Sequence, residues 1–426
     1  MKKNSKDILI IGFALFAMFF GAGNLIFPPF LGNAVGSQYL IASIAFVCTG
    51  VGLPLLAIIA VSKGDGTFES MASRISPTFA TIFTTLLFIA IGPMLAIPRT
   101  AATTYELAVQ PNIPGISPLT WMIIYFGINL VFVLKKSSII DTIGTYLTPL
   151  LLVLLAVIII KGILFPIGDI LNTGATDVFA TSFTEGYQTM DALGGLLFAT
   201  MISSSILAKG YSKKEVIPMT LKAGLVATVG LTFVYGGLMY LGAQTSSVFT
   251  GELTKSNLLL FISSSILGNI GSLIIGLAMA LACLSTSIGL LSAGSTFFEK
   301  LTKGKVPYNV NAIIICLISI GIGSLGVDKI VVISGPILSL LYPVAITLIF
   351  TTLLSKYITN VKAVRLGVYT SLVFGILEII PGINLSMIPL GRSGFAWLLP
   401  TVFAILIGYL IFPMKKKYPI GSSILE

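Results

Sequence analysis

The chain has 426 residues, of which 56% are hydrophobic and 9% charged, with 25 Lys and Arg, 15 Asp and Glu, and no histidine. A soluble protein of this length needs far more charge to cover its surface, so the composition excludes a water-soluble globular fold. The net charge of +10 sits in short loops between apolar runs, which points to membrane topology and away from nucleic acid.

Alternating apolar and polar strands of the outer-membrane barrel type are absent. The pattern predicts an all-α polytopic membrane protein. Spans are expected near 8–31, 38–62, 77–104, 118–134, 139–165, 185–208, 216–243, 269–298, 308–326, 331–354, 364–381 and 394–412. That makes twelve, in a single transmembrane domain over 1–426. The stretch 251–267 is a weaker segment, expected to be re-entrant or interfacial. Residues 8–31 are too long for a signal-peptide core and no A-x-A-like site follows, so the first span is expected to be retained.

Twelve spans put both termini on one side. With that layout, 20 of the 25 basic residues fall on the side of the termini, and only Arg99, Lys161, Lys255, Lys329 and Arg392 do not. The asymmetry predicts cytoplasmic termini. No Gly-x-x-x-x-Gly-Lys-Ser/Thr loop for ATP is present, so transport would draw on a gradient. An intramembrane enzyme has no support, with no His, no HExxH and no paired membrane carboxylates. A channel or a non-transporting sensor is the rival class. Cys48, Cys283 and Cys316 form no metal or redox pattern and are expected to be small packing residues.

The first span is interrupted by "FFGAGNLIFPPF", Phe19 to Phe30. Glycine loosens a helix and proline removes a donor. Unsatisfied backbone in hydrocarbon costs several kcal/mol, so the exposed groups need a use. A discontinuous helix supplies free carbonyls for a cation at one half's end and free amides for a carboxylate at the other's start. The break is expected at Gly21 to Asn24, with Pro28 and Pro29 about the first turn of the second half. A plain glycine packing face is the alternative.

The sixth span, "YQTMDALGGLLFATMISSS", carries Asp191 and then Gly194-Gly195 in mid-run. Two interrupted spans five apart mark a midplane binding site. The eighth span clusters Ser285, Thr286 and Ser287, which either bond back to the preceding turn or offer oxygens to a small hard cation. Arg99 is expected to snorkel at a helix end or to have a functional role. Asp191 and Glu378 are the carboxylates available for proton coupling; a carboxylate within a span costs about 2.5–3.5 kcal/mol.

"GFALFAMFFGAGNLIFPPFLG" at 12–32, with "GPMLAIPRTA" at 92–101, resembles the bacterial branched-chain amino acid carriers, the leucine/isoleucine/valine:cation symporters. The resemblance extends over the whole chain in length and span layout. It implies a bacterial plasma-membrane importer of leucine, isoleucine and valine coupled to Na⁺ or H⁺, with no cofactor. It further implies the amino acid–polyamine–organocation superfamily and its LeuT-type fold. That fold pairs a first five-helix repeat, here 8–165, with an inverted second, here 185–354. Two additional helices, 364–412, would follow.

Gly21, Ala22, Gly23 and Asn24 are similar to the unwound Gly-x-Gly-Asn segment of LeuT-like transporters. The likeness implies that the amides of Ala22 and Gly23 bind the substrate carboxylate and makes Asn24 a sodium-ligand candidate. Ala282 to Ile288 resembles the eighth-span stretch that holds a second sodium. This implies a Na⁺ site from the Ala282 carbonyl, Ser285 and Thr286, completed by the carbonyls of Ala17 and Phe20. The segment Asp191, Ala192, Leu193 and Gly194 departs from the neutral unwound motif. Its carbonyls are expected to receive the substrate ammonium.

Overall fold

The structure is a computed structural model that describes residues 3–64, 66–135 and 143–412. The regular elements among those residues are all helical, with no β-strand. Each expected span corresponds to a helix or a broken pair of helices, except that residues 139–142 of the fifth lie outside the described residues. Large apolar side chains such as Leu40, Ile44, Val153, Leu225, Val229, Leu317 and Leu410 stand exposed on the outer surface. So wide an apolar surface is compatible with lipid and not with water. Cys283 and Cys316 are buried as expected of packing residues, but Cys48 is exposed.

The first span consists of Lys3–Phe19 and Ala22–Val35. The break is therefore two residues, Phe20 and Gly21, rather than the four expected from Gly21 to Asn24. Gly21 is extended, at φ −109° and ψ −158°. Ala22, Gly23 and Asn24 already belong to the second helix. Asn24 closes its first turn by accepting the Gly21 N–H at 3.0 Å through its side-chain oxygen, which is why the unwinding ends so soon. Pro28 and Pro29 consequently fall beyond the first turn, inside the helix. There they remove donors for the carbonyls of Asn24 and Leu25, four residues earlier.

Gly32 and Gly242 let this half-helix and the seventh span, within Lys213–Gln244, cross at backbone distance. A Cβ on Gly242 would collide with the Pro29 carbonyl, and one on Gly32 with the Met239 carbonyl. Small residues at such crossings supply the packing that drives helix association in lipid.

The sixth span differs more from expectation. It comprises Val178–Glu185, a 3₁₀ turn at Gly186–Thr189, and Asp191–Ala208. The interruption is at 186–190, not at Gly194-Gly195. It turns on Met190, a non-glycine residue in the left-handed region at φ 65°. Gly194 and Gly195 are regular helix, and Gly195 lies against the backbone of Pro54 and the side chain of Ala57 in the second span. Those glycines serve packing.

The third span runs Pro77–Ile89, a wide turn at Ala90–Ala96, and Ile97–Thr104. Gly92 leaves helical geometry at ψ −109° before Pro93, as a residue preceding proline tends to do. Arg99 follows this kink and is buried. The segment expected to be re-entrant or interfacial forms the helix Lys255–Leu267, 13 residues long and too short to span. It turns at Gly268 into the eighth span, Gly271–Leu301. Val361–Ile379 and Leu398–Ile411 pack on each other through Gly367 against Ile405 and Gly408 against Ala363.

Candidate functional site

The two breaks touch. A Cβ on Gly23 would lie 2.8 Å from Arg99 Nη2, 3.2 Å from Thr189 Cα and 3.3 Å from the Gln188 carbonyl. Glycine lets one broken span approach the other without displacing the arginine or the turn. Its neighbour Asn24 is buried, and its amide donates to Asp191 Oδ2 at 2.5 Å and to the Tyr235 hydroxyl. The Tyr235 hydroxyl donates to the same Asp191 oxygen at 3.3 Å. Spans one, six and seven thus meet in one buried polar triangle. Such a network is stable in low dielectric only when its members satisfy one another.

Asp191 opens the second half of the sixth span, so Asp191 to Gly194 form a helix N-terminus. That turn offers amides rather than the free carbonyls expected of it; Gly194 N–H is bonded to the Met190 carbonyl at 2.8 Å. The carbonyls at this break belong to the preceding turn, where Gly186 O accepts from Thr189 Oγ1 at 2.8 Å and Tyr187 O from Met190 N–H at 3.0 Å. Arg99 Nη1 donates to Gln188 O at 2.7 Å, and Nη2 to Thr189 O at 3.5 Å. Ser334 of the tenth span donates to the Gln188 side chain at 2.8 Å, and Thr49 of the second donates to Phe183 O at 2.9 Å. These bonds brace the broken turn from two sides. Arg99 is 2% exposed and faces both breaks, so the snorkelling expectation is overturned.

On the other side of the first span, Ser285 and Thr286 each donate to the Ala17 carbonyl at 3.1 Å. Thr286 also reaches Met18 O at 3.4 Å, and Ser285 reaches Ala282 O at 2.9 Å. The structure therefore gathers Ala17, Ala282, Ser285 and Thr286 around the end of the first half-helix. Phe20 lies at the break itself. Spacing of three and four residues puts Ala282, Ser285 and Thr286 on one helical face. The cluster holds neutral oxygens alone, a donor set that suits a hard monovalent cation better than a transition metal.

One cavity reaches the junction and another opens beside the end of the third span. The first, about 430 Å³, is lined by Glu185, Tyr187, Gln188, Glu378, Arg392 and Trp397, and reaches the sixth-span break. Tyr187 forms part of its wall and stacks on Tyr342 with ring centroids 4.0 Å apart. The other, about 470 Å³, lies beside Glu106, which accepts from Ser256 Oγ at 2.6 Å and Val327 N–H at 3.0 Å. Glu378, expected as a possible proton carrier, lines the first cavity, on another helix from Asp191.

Sequence reasoning missed Tyr235, Gln188 and Thr189, and left Arg99 undecided. A tyrosine in an apolar helix carries no signal of its own, and carbonyl donors carry no residue-type signal at all.

The model of the branched-chain amino acid transport protein family matches residues 4–415. The chain belongs to that family. It is 37% identical to the branched-chain amino acid permease BraB of Bacillus subtilis, covering 95% of both chains. It is 35% identical to the permease BrnQ of the same organism, over 98% of this chain and 99% of BrnQ. A putative branched-chain amino acid carrier protein of Staphylococcus aureus is 36% identical, over 98% and 99%. Among solved structures, Mhp1, a nucleobase-cation-symport-1 family transporter with bromovinylhydantoin bound, superposes with TM-score 0.61 at 15% identity, over 96% and 94% of the two chains. MhsT in complex with L-phenylalanine gives 0.59 at 17%, over 94% and 98%. A Na⁺-coupled sialic acid symporter gives 0.61 at 16%, over 96% and 91%. These likenesses establish the LeuT-type fold for this multi-pass membrane protein.

Proposed function

We propose that this protein is a secondary active symporter that imports leucine, isoleucine and valine together with Na⁺. Family membership supports the substrate class. The observation that carries the mechanism is the convergence of Ser285 and Thr286 on the Ala17 carbonyl, beside the break whose second half opens at Ala22 and Gly23. Na⁺ among the oxygens of Ala17, Phe20, Ala282, Ser285 and Thr286 replaces hydroxyl–carbonyl bonds with ligation. It thereby fixes the first span in its broken form. The substrate carboxylate then meets the amides of Ala22 and Gly23 at a helix N-terminus. The ammonium is received near Asp191 and the carbonyls of Gln188 and Thr189.

Leucine, isoleucine and valine differ by about one methylene, worth only about 1–3 kcal/mol, so one pocket accepts all three. Rocking of the two five-helix repeats, 8–165 and 185–354, about this junction gives alternating access. The protein is placed in the bacterial plasma membrane with both termini cytoplasmic, as the basic-residue asymmetry supports.

Proton coupling is the second reading, favoured by one observation. Asp191 is buried, and among the described residues no cationic side chain lies within 4.0 Å of it. An ionisable group inside a span is a candidate for a proton relay. Radiolabelled leucine uptake into proteoliposomes separates the readings. Accumulation above equilibrium with a sodium gradient at fixed pH is the expected result. Accumulation that follows ΔpH in sodium-free buffer moves coupling to a carboxylate, Asp191 or Glu378. Flux that equilibrates without accumulating dismisses coupled symport in favour of a passive route, a channel or an uncoupled carrier.

A further inference from the structure

Arg99 is a buried charge whose surroundings are incomplete. A guanidinium offers five N–H donors in a planar fork. Here Nη1 has a short bond to Gln188 O, Nη2 a long one to Thr189 O, and Nε has no partner. Asp191 does not pair with it within 4.0 Å. The Phe27 ring sits 5.8 Å from Cζ, covering the guanidinium without satisfying its donors. A buried cation left in this state is costly unless an anion completes it. Nη2 lies directly against Gly23, in the turn whose amides are free.

We propose that Arg99 is the charged partner of the substrate's α-carboxylate, held between its guanidinium and the first turn of Ala22–Val35. The proposal rests on the amino-acid substrate reading given above. Arg99 and the amides of Ala22 and Gly23 then form a cradle for one carboxylate, with the planar fork matching its two oxygens. Before substrate arrives, the guanidinium holds the carbonyls of Gln188 and Thr189, the acceptors an α-ammonium needs. Binding is an exchange. The ammonium takes over those carbonyls beside Asp191, and the guanidinium turns to the carboxylate. A zwitterion satisfies both ends, whereas an amine or an acid alone leaves one charge unpaired. A methyl on Gly23 would come within 2.8 Å of Nη2, so the guanidinium would have to shift.

The test is equilibrium binding of radiolabelled leucine to the purified full-length protein, competed by leucine, leucinamide and isoamylamine. Arg99→Gln, Arg99→Lys and Gly23→Ala are compared with wild type, and folding is checked by size exclusion. Leucine affinity should fall about 10- to 100-fold in R99Q. R99K, which keeps charge without the fork, should lose less. The preference of wild type for leucine over leucinamide should collapse in R99Q, which a merely structural role for Arg99 does not predict. G23A should weaken leucine while leaving isoamylamine little changed. Wild-type leucine affinity and an intact leucine-over-leucinamide preference in whichever variants are recovered folded overturn the proposal alone. A wild-type protein that binds none of the three branched-chain amino acids overturns the proposal together with the substrate reading beneath it.

Discussion

The side-chain amide of Asn24 donates to Asp191 Oδ2 at 2.5 Å, joining the two broken spans across 167 positions of sequence. The same Asn24 caps its own helix through Gly21. One residue thus both ends the first break and ties it to the second. Asn24→Ala removes a hydrogen bond to a charged group, a loss of about 1.5–3 kcal/mol. Leucine affinity should drop about tenfold or more, and Asn24→Asp should be worse because it sets two carboxylates together. Binding of radiolabelled leucine measures both; affinities equal to wild type would remove the triangle from the site.

Ser285 and Thr286 divide the coupling question. Their double replacement by Ala deletes two oxygens that converge on Ala17. The sodium concentration for half-maximal uptake should rise at least tenfold, with leucine binding at saturating sodium affected less. Sodium stimulation unaltered in the double variant would dismiss the cation site. Gly21→Ala offers a gentler probe, since its Cβ would sit 3.1 Å from Thr286 Oγ1 and displace that hydroxyl.

Asp191→Asn keeps shape and removes the titrating group. Under sodium coupling, the variant should bind leucine more weakly yet retain its sodium dependence. Under proton coupling through Asp191, it should lose ΔpH-driven accumulation while still exchanging labelled for unlabelled leucine. Counterflow and gradient-driven uptake on one preparation decide between the two outcomes.

The span layout was legible because apolar length and loop charge are strong signals in lipid. The first break was legible because its unwinding uses glycine and is followed by two prolines. The sixth was misplaced by several residues for a physical reason. Its left-handed corner is Met190, which carries no turn signature, while Gly194-Gly195 looks like a break and is instead regular helix, with Gly195 packed against Pro54. That Ala282, Ser285 and Thr286 share one face was readable from helical spacing; their meeting with Ala17 was expected only from the resemblance, and their hold on a cation is a proposal. Arg99 lies among prolines that imitate a helix end, so only the fold reveals that it faces the centre.

Gly242 tests the packing beneath the first break. Any Cβ there meets the Pro29 carbonyl, which the rigid proline cannot move aside. Gly242→Ala should destabilise the protein by about 1–3 kcal/mol through overpacking. The expected signature is a lower melting temperature in detergent, accompanied by weaker leucine binding. Gly236→Ala in the same span is the control, because a Cβ there meets open space. Equal melting of G242A and wild type would show that the crossing relaxes freely.

At the far end of the first span, Tyr211 donates its hydroxyl to Asp7 Oδ2 at 2.8 Å, and Lys209 Nζ lies 3.9 Å from Asp7 Oδ1. The pair fastens the start of the first half-helix to the linker after the sixth span. It sits at the end of the first span expected to face the cytoplasm. Partly exposed ion pairs contribute about 0–1 kcal/mol, so the latch biases the conformations without locking them. Asp7→Asn should therefore shift their ratio only a few-fold, which still changes transport if the opening step limits turnover. Hydrogen–deuterium exchange should rise at residues 8–19 and stay unchanged in the tenth span. Faster exchange in both would mean general destabilisation, and unchanged exchange in both would mean that Asp7 holds nothing closed.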